Sequence, residues 1–105
     1  MTESRMTEQP ASAPGLEPVW LVEAKYVANA AEVRVPYRPT HLANLLEQKQ
    51  TGVVLEAGAY ADASASVIML RAGSEEDALE ICRNDVYWQN GVWVELRARA
   101  FLRVP

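Results

Sequence analysis

The stretch VVLEAGAYADASASVIMLR, residues 53–71, contains two apolar segments joined by a small, polar connection. Apolar and β-branched residues predict strands over residues 53–59 and 67–71, and residues 60–66 predict a hairpin-like loop between them. A helical pattern lies on either side of this pair. Two adjacent strands between two helices form the centre of a β-α-β-β-α-β chain.

On the N-terminal side of this pair, residues 19–27 alternate in polarity and predict the first strand. The face expected to be buried carries four residues: Trp20, Val22, Ala24 and Tyr26. Residues 29–35 predict a loop. A helix is predicted over residues 38–50, because Pro39 suits a first turn and Gly52 is a natural C-terminal stop. Leucines 42, 45 and 46 follow the helical spacing between these two signals.

On the C-terminal side, Ser74 followed by three carboxylates predicts the start of a second helix, which runs to about Arg83. Residues 84–91 predict a loop or short turn, with Asn90-Gly91 as its break. The last strand is predicted over residues 92–104. If side chains alternate strictly along that strand, one of its faces carries Trp93, Glu95, Arg97, Arg99, Phe101 and Arg103.

This order predicts an α+β, ferredoxin-like fold, in which right-handed crossovers place both helices on one face of an antiparallel sheet. The other face carries mixed charged and aromatic residues. We expect a second copy to cover it, which makes the protein a homodimer and a dimeric α+β barrel with a cleft for a small-molecule ligand. A solvated sheet face is the alternative.

Composition narrows the classes of function. Residues 1–18 are polar and predict a disordered or mobile arm, which leaves residues 19–105 as a single domain. A net charge of −4 without a basic stripe disfavours nucleic-acid binding. No apolar run approaches the roughly 20 residues of a membrane span, and the N-terminus lacks a hydrophobic signal core, so we expect no membrane partner and a cytoplasmic location.

Nothing in the sequence predicts a metal or other cofactor. One cysteine and one histidine are too few for a conventional zinc site, and no glycine-rich loop suited to phosphates is present. Cys82 lies among apolar residues of the second helix and is expected to be a small core residue rather than a nucleophile.

The chemistry of the chain centres on His41, its only histidine. In the predicted topology, the start of the first helix and the end of the second lie at the same edge of the domain. His41 and Asp85 therefore meet at one rim. A carboxylate that binds one imidazole nitrogen fixes the tautomer and makes the other nitrogen a general base. Arg38, on the same side of the helix as His41, could hold an anionic group.

Each of these residues also has a purely structural interpretation. His41 could be a satisfied boundary residue beside apolar leucines, and Arg38 a solvated cation. Asp85 could form a turn through its side chain, and Gly58 could supply a bend. An aromatic cluster could belong to the core or to a dimer contact: Tyr87, Trp88 and Trp93.

Taken together, a set of short motifs resembles the YciI-like (YCII-related) family over residues 19–104. The motifs are Arg38-Pro-x-His41-Leu42, Gly52, Ala57-Gly58, Ser66, Ala78, Asp85-x-Tyr87 and Gly91-Val92. The resemblance implies a ferredoxin-like domain assembled as a dimeric barrel, with His41 and Asp85 as the active-site pair. It also leads us to expect substrate-binding positions at Arg38, Gly58, Ser66 and Tyr87.

The same resemblance points to an enzyme, since some members of the family are dehydrochlorinase-type or lyase-like enzymes of aromatic degradation. The chain has Val86 and Ala59 where the family commonly has proline. Our hypothesis is a small cofactor-free lyase, dehydrochlorinase or isomerase that acts on an anionic or aromatic substrate. The alternatives are a non-catalytic dimeric ligand-binding or accessory module, and a relative of the dimeric-barrel monooxygenases or muconolactone-isomerase-like enzymes.

Overall fold

Four antiparallel strands and four helices make up the protein in a computed structural model that describes residues 15–105. The strands lie in the order β2-β3-β1-β4, so the predicted α+β, ferredoxin-like fold is confirmed. The elements are β1 (Glu17–Tyr26), α1 (Ala30–Val33), α2 (Arg38–Thr51), β2 (Val54–Ala59), β3 (Ala65–Leu70), α3 (Glu75–Arg83), α4 (Val86–Gln89) and β4 (Trp93–Arg103).

The two long helices begin and end at the predicted signals. The Ser74 side chain accepts a hydrogen bond from the Asp77 N–H at 3.1 Å, which caps the start of α3. Gly52 ends α2 with a φ of 86°, a left-handed conformation that glycine adopts without steric cost.

The core lies between these helices and the sheet. Alternation along β1 turns Val22 and Ala24 toward the helices, where both are fully buried. Cys82, on the inner side of α3, is buried as predicted. Burial, and to a lesser extent the nearby Asp85 carboxylate, raises the pKa of its thiol to about 12. The thiol is therefore protonated, and a poor nucleophile, near neutral pH.

Four segments differ from the sequence prediction. The short helix α1 occupies a segment predicted as a loop, and α4 occupies one predicted as a loop or short turn. Ser66 lies inside β3 rather than in the preceding loop, because that strand begins at Ala65. β1 begins at Glu17, within the predicted arm. Residues 1–14 lie outside the described residues, so the mobile arm stays a prediction.

The predicted face of Trp93 is wrong, and a β-bulge is the reason. Lys25 pairs with Glu95, but the next residue, Tyr26, pairs with Trp93, which leaves Val94 without a direct partner. One extra residue reverses the alternation of side chains beyond it. Trp93 is therefore buried on the helix side, with 2% of its surface exposed, whereas Val94 is 49% exposed.

Across residues 15–105, the structure contains no helix that is both long enough and apolar enough to span a membrane. The cytoplasmic location stays a prediction.

Candidate active site

A buried hydrogen-bonded pair joins two helices at one rim of the domain. His41 Nδ1 lies 2.8 Å and 3.0 Å from the two carboxylate oxygens of Asp85, although the residues are 44 positions apart. They are 4% and 8% exposed. An ionised carboxylate only accepts hydrogen bonds, so Nδ1 carries the proton that His41 donates to Asp85. The lone pair of a neutral His41 is therefore on Nε2, the nitrogen that can act as a base.

Asp85 has a second, structural task. It caps the start of α4, where its Oδ1 accepts a hydrogen bond from the Tyr87 N–H at 2.8 Å. The turn-forming interpretation of Asp85 and its pairing with His41 therefore hold together. Because the helix cap fixes the carboxylate and donors compensate its burial, the carboxylate can in turn orient the imidazole ring.

The plane of the imidazole ring is held by stacking. Tyr87 lies flat on His41, with ring centroids 3.7 Å apart and an interplanar angle of 7°. Trp93 meets both rings nearly at right angles, with centroids 5.3 Å from His41 and 5.6 Å from Tyr87. The aromatic cluster therefore belongs to the core, which was one of the two interpretations of it. Tyr87 and Trp93 also line a cavity beside His41.

This cavity has a volume of about 210 Å³ and separates the start of α2 from the ends of β2 and β1. His41 lines it, whereas Asp85 lies behind His41 and does not. The four residues expected to bind substrate all contribute to its wall. Their roles stay predictions. The lining residues are Tyr26, Arg34, Arg38, His41, Leu42, Leu45, Ala57, Gly58, Ala59, Ser66, Ile68, Tyr87 and Trp93.

Three polar residues of the cavity were not predicted from the sequence: Tyr26, Arg34 and Trp93. Tyr26 ends β1 at the rim where α2 begins, so topology alone could have placed it there; its hydroxyl accepts a hydrogen bond from Ser66 Oγ at 2.8 Å. Arg34 precedes Arg38 by four positions, but it follows a short helix that was predicted as a loop. Trp93 was assigned to the wrong face.

Two guanidinium groups make the outer part of the cavity positive. Burial raises the pKa of the Tyr87 phenol, while the charges of Arg34 and Arg38 lower it, which places both cations within electrostatic range of that hydroxyl. Within residues 15–105, neither arginine forms an ion pair with a carboxylate. Among residues 15–105, no carboxylate therefore competes with an anionic ligand for either guanidinium group.

Gly58 lines the cavity through its backbone without a steric need for glycine. A Cβ atom built at this position meets nothing within 4 Å. No close approach from the described residues therefore explains the glycine. Metal ligation is equally unsupported in the described part of the chain, since residues 15–105 contain no cluster of three or more His, Cys, Asp or Glu that could hold an ion.

Comparison with known proteins gives the family. The model of the YCII-related domain matches residues 19–102. The chain belongs to this family. A relative from Emericella nidulans, "Derivative of benzaldehyde biosynthesis cluster protein C", is 35% identical over 83 residues, which cover 69% of this chain and 85% of the relative.

A solved structure shares the fold of this YCII-related chain. It is the 5-chloro-2-hydroxyhydroquinone dehydrochlorinase TftG from Burkholderia phenoliruptrix AC1100, in complex with 2,5-dihydroxybenzoquinone. The TM-score is 0.68 at 18% sequence identity, and the match covers 79% of this chain and 92% of that chain. At this identity the likeness concerns the fold.

Proposed function

We propose that this protein is a small acid–base enzyme of the lyase type, in which His41 is the base and Asp85 orients it. The observation that carries the proposal is the buried hydrogen bond of 2.8 Å from His41 Nδ1 to Asp85, with the His41 ring lining a cavity. A carboxylate behind an imidazole stabilises the imidazolium that forms when the other nitrogen takes a proton.

The reaction needs no external reactant. His41 Nε2 removes a proton from a C–H or O–H group of the substrate, and the electrons of that bond form a new double bond. In an elimination, a leaving group such as chloride departs with its bonding pair. In an isomerisation, the same proton returns to another atom of the substrate. After an elimination the imidazolium releases its proton to water, and after an isomerisation it has already returned it to the substrate, so the pair is restored in both cases.

The cavity suits one small ring with an anionic substituent. A dry cavity of about 150 Å³ holds benzene in another protein, so about 210 Å³ admits a single ring with a few substituents. Arg34 and Arg38 would bind a carboxylate or a phenolate at the outer end. Two similar proteins are associated with aromatic compounds: one is a dehydrochlorinase of 5-chloro-2-hydroxyhydroquinone, and the other is a protein of a benzaldehyde-derivative biosynthesis cluster.

The proposal is tested by turnover of chlorinated hydroquinones and hydroxybenzoates, followed by chloride release and by the absorbance of the products. We expect His41→Ala and Asp85→Asn to lower kcat/KM by about 10²–10⁴-fold. Asp62→Asn is the matched control, because Asp62 is an exposed carboxylate that accepts hydrogen bonds from the N–H and the hydroxyl of Ser64, away from the cavity. Full activity of His41→Ala contradicts the proposal. Tight binding of the same compounds without turnover supports the ligand-binding module instead.

We also propose that two copies pair through the face of the sheet that none of the helices in residues 15–105 covers. Register places Leu21 opposite Met69 and Arg99 on this face, and Glu23 opposite Arg97, so it combines apolar side chains with charges of both signs. Phe101 adds a large exposed apolar side chain. Such a composition suits an interface with a copy of the same face.

Sedimentation velocity tests the homodimer. We expect the wild-type protein to sediment as a dimer and Phe101→Glu to shift it toward the monomer. Val104→Glu introduces the same charge at an exposed position beyond β4 and is expected to leave the dimer intact. A wild-type monomer at concentrations of tens of micromolar contradicts the pairing and leaves the uncovered face solvated.

A further inference from the structure

The hydroxyls of Tyr26 and Ser66 form a pair that the proposed mechanism does not use. Ser66 Oγ donates a hydrogen bond to the Tyr26 hydroxyl at 2.8 Å, and within residues 15–105 neither hydroxyl makes another one. Each hydroxyl carries one proton, and a single bond between the two uses only one of them. The proton of Tyr26 is therefore left to donate, and its acceptor is not a residue of the described chain.

This hydroxyl pair lies in the wall of the same cavity as His41. Tyr26 ends β1, and its side chain reaches across to Ser66 on the neighbouring strand β3, where Ser66 pairs with Ala59 of β2. All three residues line the cavity. Because the side chain of Ser66 consists only of Cβ and Oγ, a hydrogen bond to it lies at the wall itself. Tyr26 keeps 7% of its surface exposed there.

Tyr87 contacts both the base and the ring of Tyr26. It stacks on His41 with ring centroids 3.7 Å apart, and it meets Tyr26 edge-to-face with centroids 6.3 Å apart. Burial raises the pKa of the Tyr87 phenol, and the Tyr26 phenol raises it further, so the two phenol groups lie within electrostatic range of each other. A single substrate ring in the cavity therefore has the base near one of its atoms and a phenol O–H near another.

Removal of a proton from carbon needs a place for the charge that is left behind. When His41 takes a proton from a C–H group beside a carbonyl, the electrons of the C–H bond form a C=C bond, and the carbonyl pair moves onto oxygen. When that pair returns to form C=O, the leaving group departs with its bonding electrons, or another carbon takes up the proton. A donor at the oxygen accelerates the first step, because the charge on oxygen grows during it.

We infer that Tyr26 is a catalytic residue whose hydroxyl donates a hydrogen bond to the carbonyl oxygen of the substrate, and that Ser66 is a positioning residue that acts through Tyr26. The inference deepens the proposed function, on which it rests for the base. The proton stays on Tyr26 throughout. The bond from Ser66 fixes the hydroxyl of Tyr26 and strengthens the bond that this hydroxyl donates in turn. The substrate class is a ring with a carbonyl, or with a hydroxyl that tautomerises to one, beside the carbon that loses its proton.

The first experiment titrates the full chain with 4-nitrophenolate, a single ring whose anionic oxygen resembles that of the enolate. Its absorbance band moves to shorter wavelength when a donor binds the oxygen, so one titration reports both the affinity and the hydrogen bond. We expect Tyr26→Phe, which keeps the ring, to weaken binding about tenfold and to move the band of the bound probe to longer wavelength. Nitrobenzene lacks the oxygen and should bind equally to the wild type and to Tyr26→Phe.

Tyr37→Phe is the matched control, since Tyr37 packs against the core without lining the cavity. Its affinity and its band should match those of the wild type. Ser66→Ala should move the band in the same direction as Tyr26→Phe, but less, and Ser66→Thr should restore it because threonine keeps a hydroxyl. Unchanged affinity and an unchanged band in Tyr26→Phe overturn the inference, and so does failure of the wild type to bind the probe.

Turnover separates this inference from the proposed function. With any substrate that the wild type converts, Tyr26→Phe should lower kcat about 10²–10³-fold with little change in KM, because the bond strengthens as the charge develops. A band that depends on Tyr26, without turnover of any substrate, supports the hydrogen bond from Tyr26 and contradicts the enzyme. Turnover with the same kcat in Tyr26→Phe contradicts the role of Tyr26 and leaves His41 as the base.

Discussion

The two ends of β1 carry two charged clusters that resemble each other in chemistry and differ in surroundings. At the beginning of the strand, Glu17 accepts hydrogen bonds from Arg71 at 2.5 Å and from Arg103 at 2.6 Å; these three residues are the Glu17 cluster. Beyond its end lies the His41–Asp85 pair. Both join residues that are far apart in sequence, by 54 and 86 positions in one case and 44 in the other.

The Glu17 cluster and the His41–Asp85 pair differ in burial. The Glu17 cluster is partly exposed, so water solvates its charges and replaces any bond that breaks. The His41–Asp85 pair is almost fully buried and lies beside a cavity, where an unpaired partner has no such replacement. Similar charged hydrogen bonds thus fasten the sheet at a partly exposed site and, at a buried one, hold an imidazole beside a cavity.

The largest effect that would sharpen this contrast is expected from Asp85→Ala. The substitution leaves the His41 Nδ1–H and the Tyr87 N–H unpaired and removes the cap of α4, so it should lower the free energy of unfolding by about 3 kcal/mol. Urea unfolding measures the loss. Asp62→Ala, which removes an exposed carboxylate, serves as control and should cost less than 1 kcal/mol. Equal costs for the two variants would show that burial of the pair is irrelevant to stability.

The next effect concerns the cations of the cavity. Arg34→Gln and Arg38→Gln should each weaken the binding of 4-hydroxybenzoate about tenfold, because each removes a charge-assisted hydrogen bond to the carboxylate. Arg83→Gln is the control, since Arg83 is engaged by Glu76 and Glu80 on α3. Titration at two salt concentrations adds a check, as binding by the wild type should weaken with salt. Unchanged affinity in both cavity variants would show that these arginines are solvated and do not bind the ligand.

A smaller effect is expected from Glu17→Gln, and its sign depends on pH. Hydrogen bonds from Arg71, and then from Arg103, lower the pKa of Glu17 below 4.5. Its stabilising contribution is therefore complete above pH 4.5 and is lost as the pH falls through the lowered pKa. The difference in stability between wild type and Glu17→Gln should be constant from pH 5 to 7 and narrow at lower pH. A difference that grows on acidification would contradict the lowered pKa.

The smallest effect is expected from Gly58→Ala. Nothing in the described chain contacts a Cβ at this position, so the free energy of unfolding of the monomer should change by no more than about 0.5 kcal/mol. Phe101→Glu is expected to be a monomer. Its thermal unfolding with and without Gly58→Ala therefore measures the effect of the alanine on the monomer alone. If Gly58→Ala weakens the dimer and not the monomer, the glycine accommodates the partner copy.

The position of the His41–Asp85 pair could be predicted from the sequence. Right-handed crossovers fix which helix ends share a rim, so the sequence alone predicts that His41 and Asp85 lie at one edge of the domain. The Glu17 cluster could not be predicted in the same way. Its members lie at the ends of three strands, and Glu17 itself was assigned to a mobile arm because its neighbours are polar.

Local signals in the sequence determined by themselves the order of the strands and the two long helices, the caps of those helices and the ferredoxin-like fold, since alternation, prolines and capping residues act within a few positions. Only the tertiary structure decided the register of β1 against β4. The bulge that turns Trp93 toward His41 results from pairing between residues almost 70 positions apart, Tyr26 and Trp93, and no local pattern records it. The same packing determines which polar groups are sealed from water, the Nε1 of Trp93 among them.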